Sequence, residues 1–328
     1  MIRIIAEIGS VHDGSFGNAL RLIDAAAAAG ADAVKFQTHI AEAESLPDAP
    51  APGYFSDEPR IAYFRRTGFS PEQWKKLARH AEQANVAFLS SPFSLEAVDL
   101  LEDVGVKAYK VPSGEVTNVP LLERIARTKK PTFLSSGMSN WAELDRAVAV
   151  LKPMCALTVL QCSTAYPCPP EQVGLNVLIE MRSRYGVPVG LSDHTTGFAA
   201  AIAAAALGAT VIEKHFAFSR LMYGSDAKHS MEPEDFKAFC LALRDVWRMN
   251  ANPVNKDDLA PYADMKRIFE KSVVTARAVK AGTRLNADAL AFKKPGDGIP
   301  AAQYRSLIGK TVRRDLPADH KIATGDVE

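Results

Sequence analysis

Eight times between residues 4 and 214, a short run rich in β-branched and apolar residues gives way to a stretch of helical length with one apolar face. The runs fall at 4–7, 33–36, 87–90, 108–111, 132–134, 158–161, 187–191 and 210–214. In the first helical stretch, 19–29, Leu20, Ile23 and Ala27 share a face, and Gly30 stands where a glycine ends a helix. Ser70-Pro71-Glu72 opens another with a capping hydroxyl, a first-turn proline and an acidic residue. Further helical patterns occupy 96–101, 121–126, 141–151, 177–184, 199–207 and 234–247. Strand-then-helix repeated eight times over about 250 residues predicts an α/β chain built on a (β/α)8 TIM barrel, because an open doubly wound sheet rarely uses eight regular units.

Barrels of this kind carry their chemistry at the carboxyl ends of the strands. The polar residues there are Glu7, Lys35 with Gln37, Ser90 and Ser91, Lys110 with Ser113 and Glu115, Ser135 and Ser136, Tyr166, Ser192 to His194, and Glu213 to His215. One lysine at a barrel mouth is ordinary. Lys35 and Lys110 together, with Ser113, Ser135 and Ser192, form a convergent set of donors for phosphate or carboxylate oxygens. His194 and His215 follow adjacent strands. Singly each reads as a rim histidine; as a pair beside Asp193 and Glu213 they suggest a divalent cation with positions open to water and substrate, and His12 is a third candidate. Glu7 and Glu115 qualify as general acid or base if burial raises their pKa, whereas pairing with a lysine would lower it. Cys162 and Cys168 read as structural thiols, with no histidine evidently assigned to either.

The repeat is interrupted at 41–66, rich in proline, alanine and acidic residues, which reads as a long loop over the active face. After Trp247 the composition shifts, and the chain divides into a barrel at 1–250, a linker at 251–267 and a small β-rich domain at 268–328, with runs at 272–275 and 290–292. Lysine plus arginine number 39 against 38 acidic residues, a net charge of +1, so a nucleic-acid partner is not expected. The cations at the strand ends would be placed rather than spread. The longest apolar stretch, 199–212, falls short of the 18 or more residues of a membrane span. The amino terminus lacks the apolar region of a signal peptide, and the four cysteines form no CxxC pair, which together predict a cytoplasmic protein with no membrane partner.

AEIG at 6–9, GADAVKFQT at 30–38, SSPFS at 90–94, AYKVPSGE at 108–115, LSSGM at 134–138, GLSDHT at 190–195, EKHF at 213–216 and KKPGDGI at 293–299 follow one another along the chain. In that order they resemble the N-acetylneuraminate (sialic acid) synthase family. The resemblance implies a barrel followed by a SAF domain, similar to type III antifreeze protein. It implies condensation of phosphoenolpyruvate with an N-acylated amino-hexose, N-acetylmannosamine or a 6-deoxy-diacetamido hexose. The products would be phosphate and a nine-carbon 2-keto sugar acid of sialic, legionaminic or pseudaminic type. His194 and His215 match the family's metal ligands, usually for Mn2+, with Mg2+ or Co2+ as alternatives. Lys35, Lys110, Ser113, Ser135 and Ser192 match positions that hold phosphoenolpyruvate, and Thr164 stands where an asparagine is common. Glu7, Gln37, Tyr166 and Asp226 match residues around the sugar, with Glu7 and Glu115 as candidates for moving a proton or placing water. Lys294-Pro295-Gly296 replaces the Arg-Pro-Gly that reaches the sugar of a partner subunit, which implies a domain-swapped homodimer. Val11-His12-Asp13-Gly14 departs from the family's Asn-His-x-Gly. The rival readings are a Schiff-base barrel aldolase using Lys110 and a sugar-binding paralogue without catalysis.

Overall fold

Parallel strands close in chain order into an eight-stranded barrel in the computed structural model, which describes residues 1–50, 58–224 and 226–328. They are β1 Arg3–Gly9, β2 Ala33–Thr38, β3 Ala87–Pro92, β4 Tyr109–Val111, β5 Thr132–Ser135, β6 Leu157–Cys162, β7 Val189–Asp193 and β8 Val211–His215. Each overlaps a run read from the sequence, and the (β/α)8 barrel is confirmed. The chain divides into two compact units, Met1–Asn252 and Pro253–Glu328.

Strand side chains alternate between faces, and here the alternation sorts chemistry. Ile5, Ala33, Leu89, Ala108, Phe133, Leu160 and Val211 form one buried cluster inside the barrel. Their outward neighbours, among them Ile4, Val34, Phe88, Tyr109, Leu134, Val159 and Ile212, pack against the helices in the main core. Two residues beyond each member of the inner cluster stands a residue of one further layer: Glu7, Lys35, Ser91, Lys110, Ser135, Cys162 and Glu213. All seven are buried. Strand pairing aligns this layer, with Glu7 opposite both Lys35 and His215, and Ser192 opposite Glu213. An apolar plug thus carries a polar ring on its carboxyl-terminal side. Gly190 leaves room in the plug, since a Cβ there would lie 2.6 Å from a Leu160 methyl.

The helices start where local chemistry starts them. Ser70 caps Pro71–Gln83 in a reciprocal box with Gln73, as the Ser-Pro-Glu signal predicts. Ser15 caps Phe16–Ala28, which buries Ala19, Leu22, Ile23 and Ala26; fully burying a leucine or isoleucine contributes roughly 1.5–3 kcal/mol.

Two predicted irregular stretches contain helix. Within 41–66 the chain forms Ala41–Glu44 and Arg60–Thr67, the latter burying Tyr63, Phe64 and Thr67 beside Ala41; residues 51–57 lie outside the described residues. The apolar positions are too few to stand out from the acidic and proline-rich composition, but they suffice for a small core of their own. In the predicted linker, the helix Pro233–Ala251 runs to its start, and a second helix, Ala263–Phe269, fills its end while keeping no side chain buried. With no buried stripe, the period has nothing to reveal it. The second unit holds an antiparallel pair, β9 Ser272–Thr275 and β10 Leu290–Lys293, over a core that includes Val273, Val279, Leu290, Val312 and Ile322. Among the described residues no helix is long and apolar enough to cross a membrane.

Candidate active site

The polar ring is an ion-pair network. Lys35 Nζ lies 2.7 Å from Glu7 Oε2 and 3.8 Å from Glu213 Oε1, and Lys110 Nζ lies 3.6 Å from the same Glu213 oxygen. Ser192 donates its hydroxyl to that oxygen at 3.0 Å, and Lys35 donates to Ser91 Oγ at 3.3 Å. Two ammoniums and two carboxylates balance in a space closed to bulk water, where an unpaired charge would be strongly destabilising. Burial opposes the charge on Glu213, but Lys110 and Lys35 outweigh it and hold its pKa low. The lysines differ. Burial works against the charge on both; Glu213 and Glu7 lift Lys35 above its ordinary value, whereas Lys110, with Glu213 partly offset by Lys35, stays below.

The next layer is aromatic and nitrogenous. His194 donates Nδ1–H to the Ser163 carbonyl at 2.9 Å, so that the neutral ring keeps its lone pair on Nε2; burial opposes the charged ring, but the contacts with Cys162 and the Ser163 carbonyl outweigh it and raise the pKa. His215 is buried, its Nδ1 has no hydrogen-bond partner among the described residues, and burial lowers its pKa and so favours the neutral form. The two ring centroids are 5.4 Å apart, and the Tyr166 ring lies 4.2 Å from His194 and 6.2 Å from His215. Asp226 Oδ2 is 3.9 Å from His215 Nδ1. Gly9, with φ of 53°, admits this carboxylate, since a Cβ there would lie 2.9 Å from it.

Asp193 does not join the pair. It faces outward from β7 and is ion-paired with Lys214 at 2.8 Å, because one residue along a strand reverses the face. Glu213 is committed to the lysines. His12 is no ligand either: its ring packs against Phe36 and Phe69, Nδ1 accepts the Gly14 N–H at 3.2 Å, and burial pushes its pKa down to about 4. Among the described residues no group of three or more His, Cys, Asp or Glu is arranged to hold a metal. What the site offers is two imidazoles, one oriented by a backbone carbonyl and one with an orphaned buried nitrogen. That donor set fits a divalent ion of the catalytic kind, whose other positions stay open.

Ser113 and Thr164 meet at Gly137, where a Cβ would collide with the Ser113 side chain and lie 2.8 Å from Thr164 Oγ1. Ser135 Oγ is buried without a partner among the described residues. Gln37 donates Nε2–H to Glu7 Oε1 at 2.8 Å. Glu115 lies on the turn after β4, outside the ring; burial raises its pKa, although Asn118 donates to it at 2.7 Å. Lys294 belongs to the second unit, its Nζ 4.7 Å from the centre of the Phe269 ring.

Cys162, read as a structural thiol, is in the ring: its Sγ accepts from Ser113 at 3.5 Å and lies 4.0 Å from His194 Nδ1. Burial opposes its ionisation, but the His194 contact draws its pKa down. Counting by twos from Leu160 would have placed it. His229 was not singled out; its Nε2 is buried without a partner among the described residues, and its ring lies 6.3 Å from Tyr166. It follows no strand, so periodicity carries no signal for it.

A buried lysine pair and a histidine pair gather at the mouth of a (β/α)8 barrel, where enzymes of this fold carry their chemistry. The chain belongs to the NeuB family, whose sequence profile matches residues 22–255, and a SAF domain matches 270–328. It is 37% identical to the N,N'-diacetyllegionaminic acid synthase of Campylobacter jejuni, over 97% of this chain and 98% of that one. It is 34% identical to the human N-acetylneuraminate-9-phosphate synthase, over 97% and 90%. The crystal structure of a sialic acid synthetase from Leptospira borgpetersenii, in complex with citrate, superposes with a TM-score of 0.73 at 27% identity, covering 81% of this chain and 90% of that one. The chain is therefore a sugar-acid synthase.

Proposed function

We propose that the enzyme condenses phosphoenolpyruvate with the open-chain aldehyde of an N-acylated amino-hexose, N-acetylmannosamine or a 6-deoxy-diacetamido hexose. The products are a nine-carbon 2-keto sugar acid and phosphate. One observation carries this reading: Lys35 and Lys110 share Glu213 in a buried ring of hydroxyl donors, directly below the two imidazoles. In the reaction C3 of the enol attacks the aldehyde carbon, and positive charge appears at C2. Water adds at C2, and the tetrahedral carbon expels phosphate with cleavage of the C–O bond. Of the two protons the added water gives up, one balances the proton gained by the aldehyde oxygen and the other leaves with the phosphate.

The chain's share is to hold the two reactants together and to steady the moving charge. Lys35 and Lys110 donate to the carboxylate and phosphate oxygens, assisted by Ser113, Ser135, Ser192 and Thr164. Gln37, Tyr166 and Asp226 surround the sugar. Glu7, held by Lys35 and Gln37, accepts and orients; Glu115, whose pKa burial raises, is the better proton carrier. His194 and His215 would hold a divalent ion, Mn2+ with Mg2+ or Co2+ as alternatives, which when bound supplies Lewis-acid polarisation of the aldehyde. The reading includes a homodimer in which Lys294 reaches the partner's sugar.

The lowered pKa of Lys110 favours one other reading, a Schiff-base aldolase, because a neutral amine is the nucleophile such an enzyme needs. One assay separates them. Phosphoenolpyruvate is offered with a panel of N-acetylmannosamine and 6-deoxy-diacetamido hexoses in Mn2+, and phosphate release is followed; a parallel sample receives pyruvate and borohydride. Release that requires both substrates is expected. A stable adduct on Lys110, or no release with any sugar, overturns the proposal.

A further inference from the structure

Gln37 is the one inward residue of β2 beyond Lys35, and which end of its amide faces the pocket decides what it offers a ligand. Its Nε2 must face Glu7, because Glu7 Oε1, 2.8 Å away, only accepts while Oε2 is paired with Lys35. Its Oε1 then faces His39 Nε2 at 3.1 Å, which places a hydrogen on that ring nitrogen. On the other side His39 Nδ1 lies 2.8 and 3.0 Å from the two oxygens of Glu44, so a second hydrogen lies between ring and carboxylate. The ring is clamped face to face between Phe64 and Phe93, at centroid distances of 3.7 and 4.1 Å and interplanar angles of 13° and 19°. The His39 and Glu44 side chains are only 5% and 4% exposed.

Every part of this arrangement points one way. A flipped amide would set its carbonyl against the Glu7 carboxylate and its NH2 against the His39 N–H, losing two hydrogen bonds and creating two repulsions. Glu44 and Phe64 come from the helices Ala41–Glu44 and Arg60–Thr67, in the insertion that interrupts the barrel repeat. Those helices reach Gln37 through the His39 ring.

We propose that His39 is a positioning residue: clamped by Phe64 and Phe93 and held by Glu44, it fixes the Gln37 amide so that the pocket is offered a hydrogen-bond donor and not an acceptor. One hydrogen of the amide goes to Glu7, and the other is left for an oxygen of the amino-sugar. The inference rests on the reading that Gln37 faces the sugar.

The test uses the full-length enzyme with Mn2+. H39F keeps a ring between the two phenylalanines but removes both ring nitrogens. The sugar KM is expected to rise about tenfold, as for one misdirected hydrogen bond, with the phosphoenolpyruvate KM and kcat within about twofold. In a Q37L background H39F should add nothing, because its effect runs through Gln37. E44Q leaves the ring stack untouched and is expected to raise the sugar KM two- to threefold; it carries the test if H39F does not fold. The Gln37 side-chain NH2 signal in 15N-labelled protein, identified by its loss in Q37L, should move in H39F, and in E44Q to a smaller extent. If Q37L leaves the sugar KM unchanged while that signal still moves, the sugar reading fails and the positioning role stands. A signal that does not move, an H39F effect undiminished in Q37L, or an equal rise in both KM values overturns the proposal.

Discussion

Lys35 and Lys110 share one glutamate oxygen, yet their surroundings push them apart: Lys35 has a second carboxylate at 2.7 Å, and Lys110 has none of its own among the described residues. Paired with a single shared countercharge, Lys110 has most to gain from an incoming anion. His12 shows the opposite outcome, a buried histidine kept neutral. Its folded pKa, about 4, lies below the ordinary 6.5, so the fold prefers the uncharged ring. The stability this contributes is complete above pH 6.5 and is lost as the pH falls towards 4, by ~3 kcal/mol in all. H12N retains an acceptor for the Gly14 N–H but does not titrate. Urea titrations should find it less stable at pH 7, yet with a smaller loss between pH 6.5 and 4 than wild type; parallel curves would show that His12 is not the titrating group.

At the scale of elements, each strand carries its site residue two positions beyond a plug residue, which is why the site was readable from one dimension. Lys35, Lys110, Ser135 and Glu213 were legible by that count, and so was Cys162 had it been applied at residue 160. The turns after the strands obey no such count. Gly137 is the clearest case: its missing Cβ lets Ser113 and Thr164 approach across two different loops. G137A should displace Ser113 and raise the phosphoenolpyruvate KM about tenfold, the cost of roughly one hydrogen bond, with the sugar KM within about twofold. Steady-state kinetics on both substrates check this, and an unchanged phosphoenolpyruvate KM would remove Ser113 from the phosphate side. The insertion helices were hidden for a related reason. Three buried residues in Arg60–Thr67 make too short a stripe to outweigh an acidic, proline-rich composition.

At the scale of the molecule, the proposed homodimer makes a prediction that no single chain can mimic. H215A lacks an imidazole of the site, and K294A lacks the proposed contact from the second unit. Each homodimer should be poorly active. Refolded as a mixture, they should recover activity, because the intact barrel of a K294A chain would receive Lys294 from an H215A partner. Recovery approaching a quarter of wild-type activity is expected, since about half the dimers are mixed and each holds one complete site of two. No recovery would place Lys294 in its own chain's site or outside the chemistry. The sequence by itself determined the barrel, the strand ends and the residue types on them, because strand and helix periodicity are local and the plug must be apolar. Only the tertiary structure decided which charges meet. Closure of β1 on β8 sets Glu7 opposite His215, and the barrel brings Lys35 and Lys110 to one oxygen of Glu213. Pairings between residues so far apart in the chain depend on register and closure, which no local pattern records.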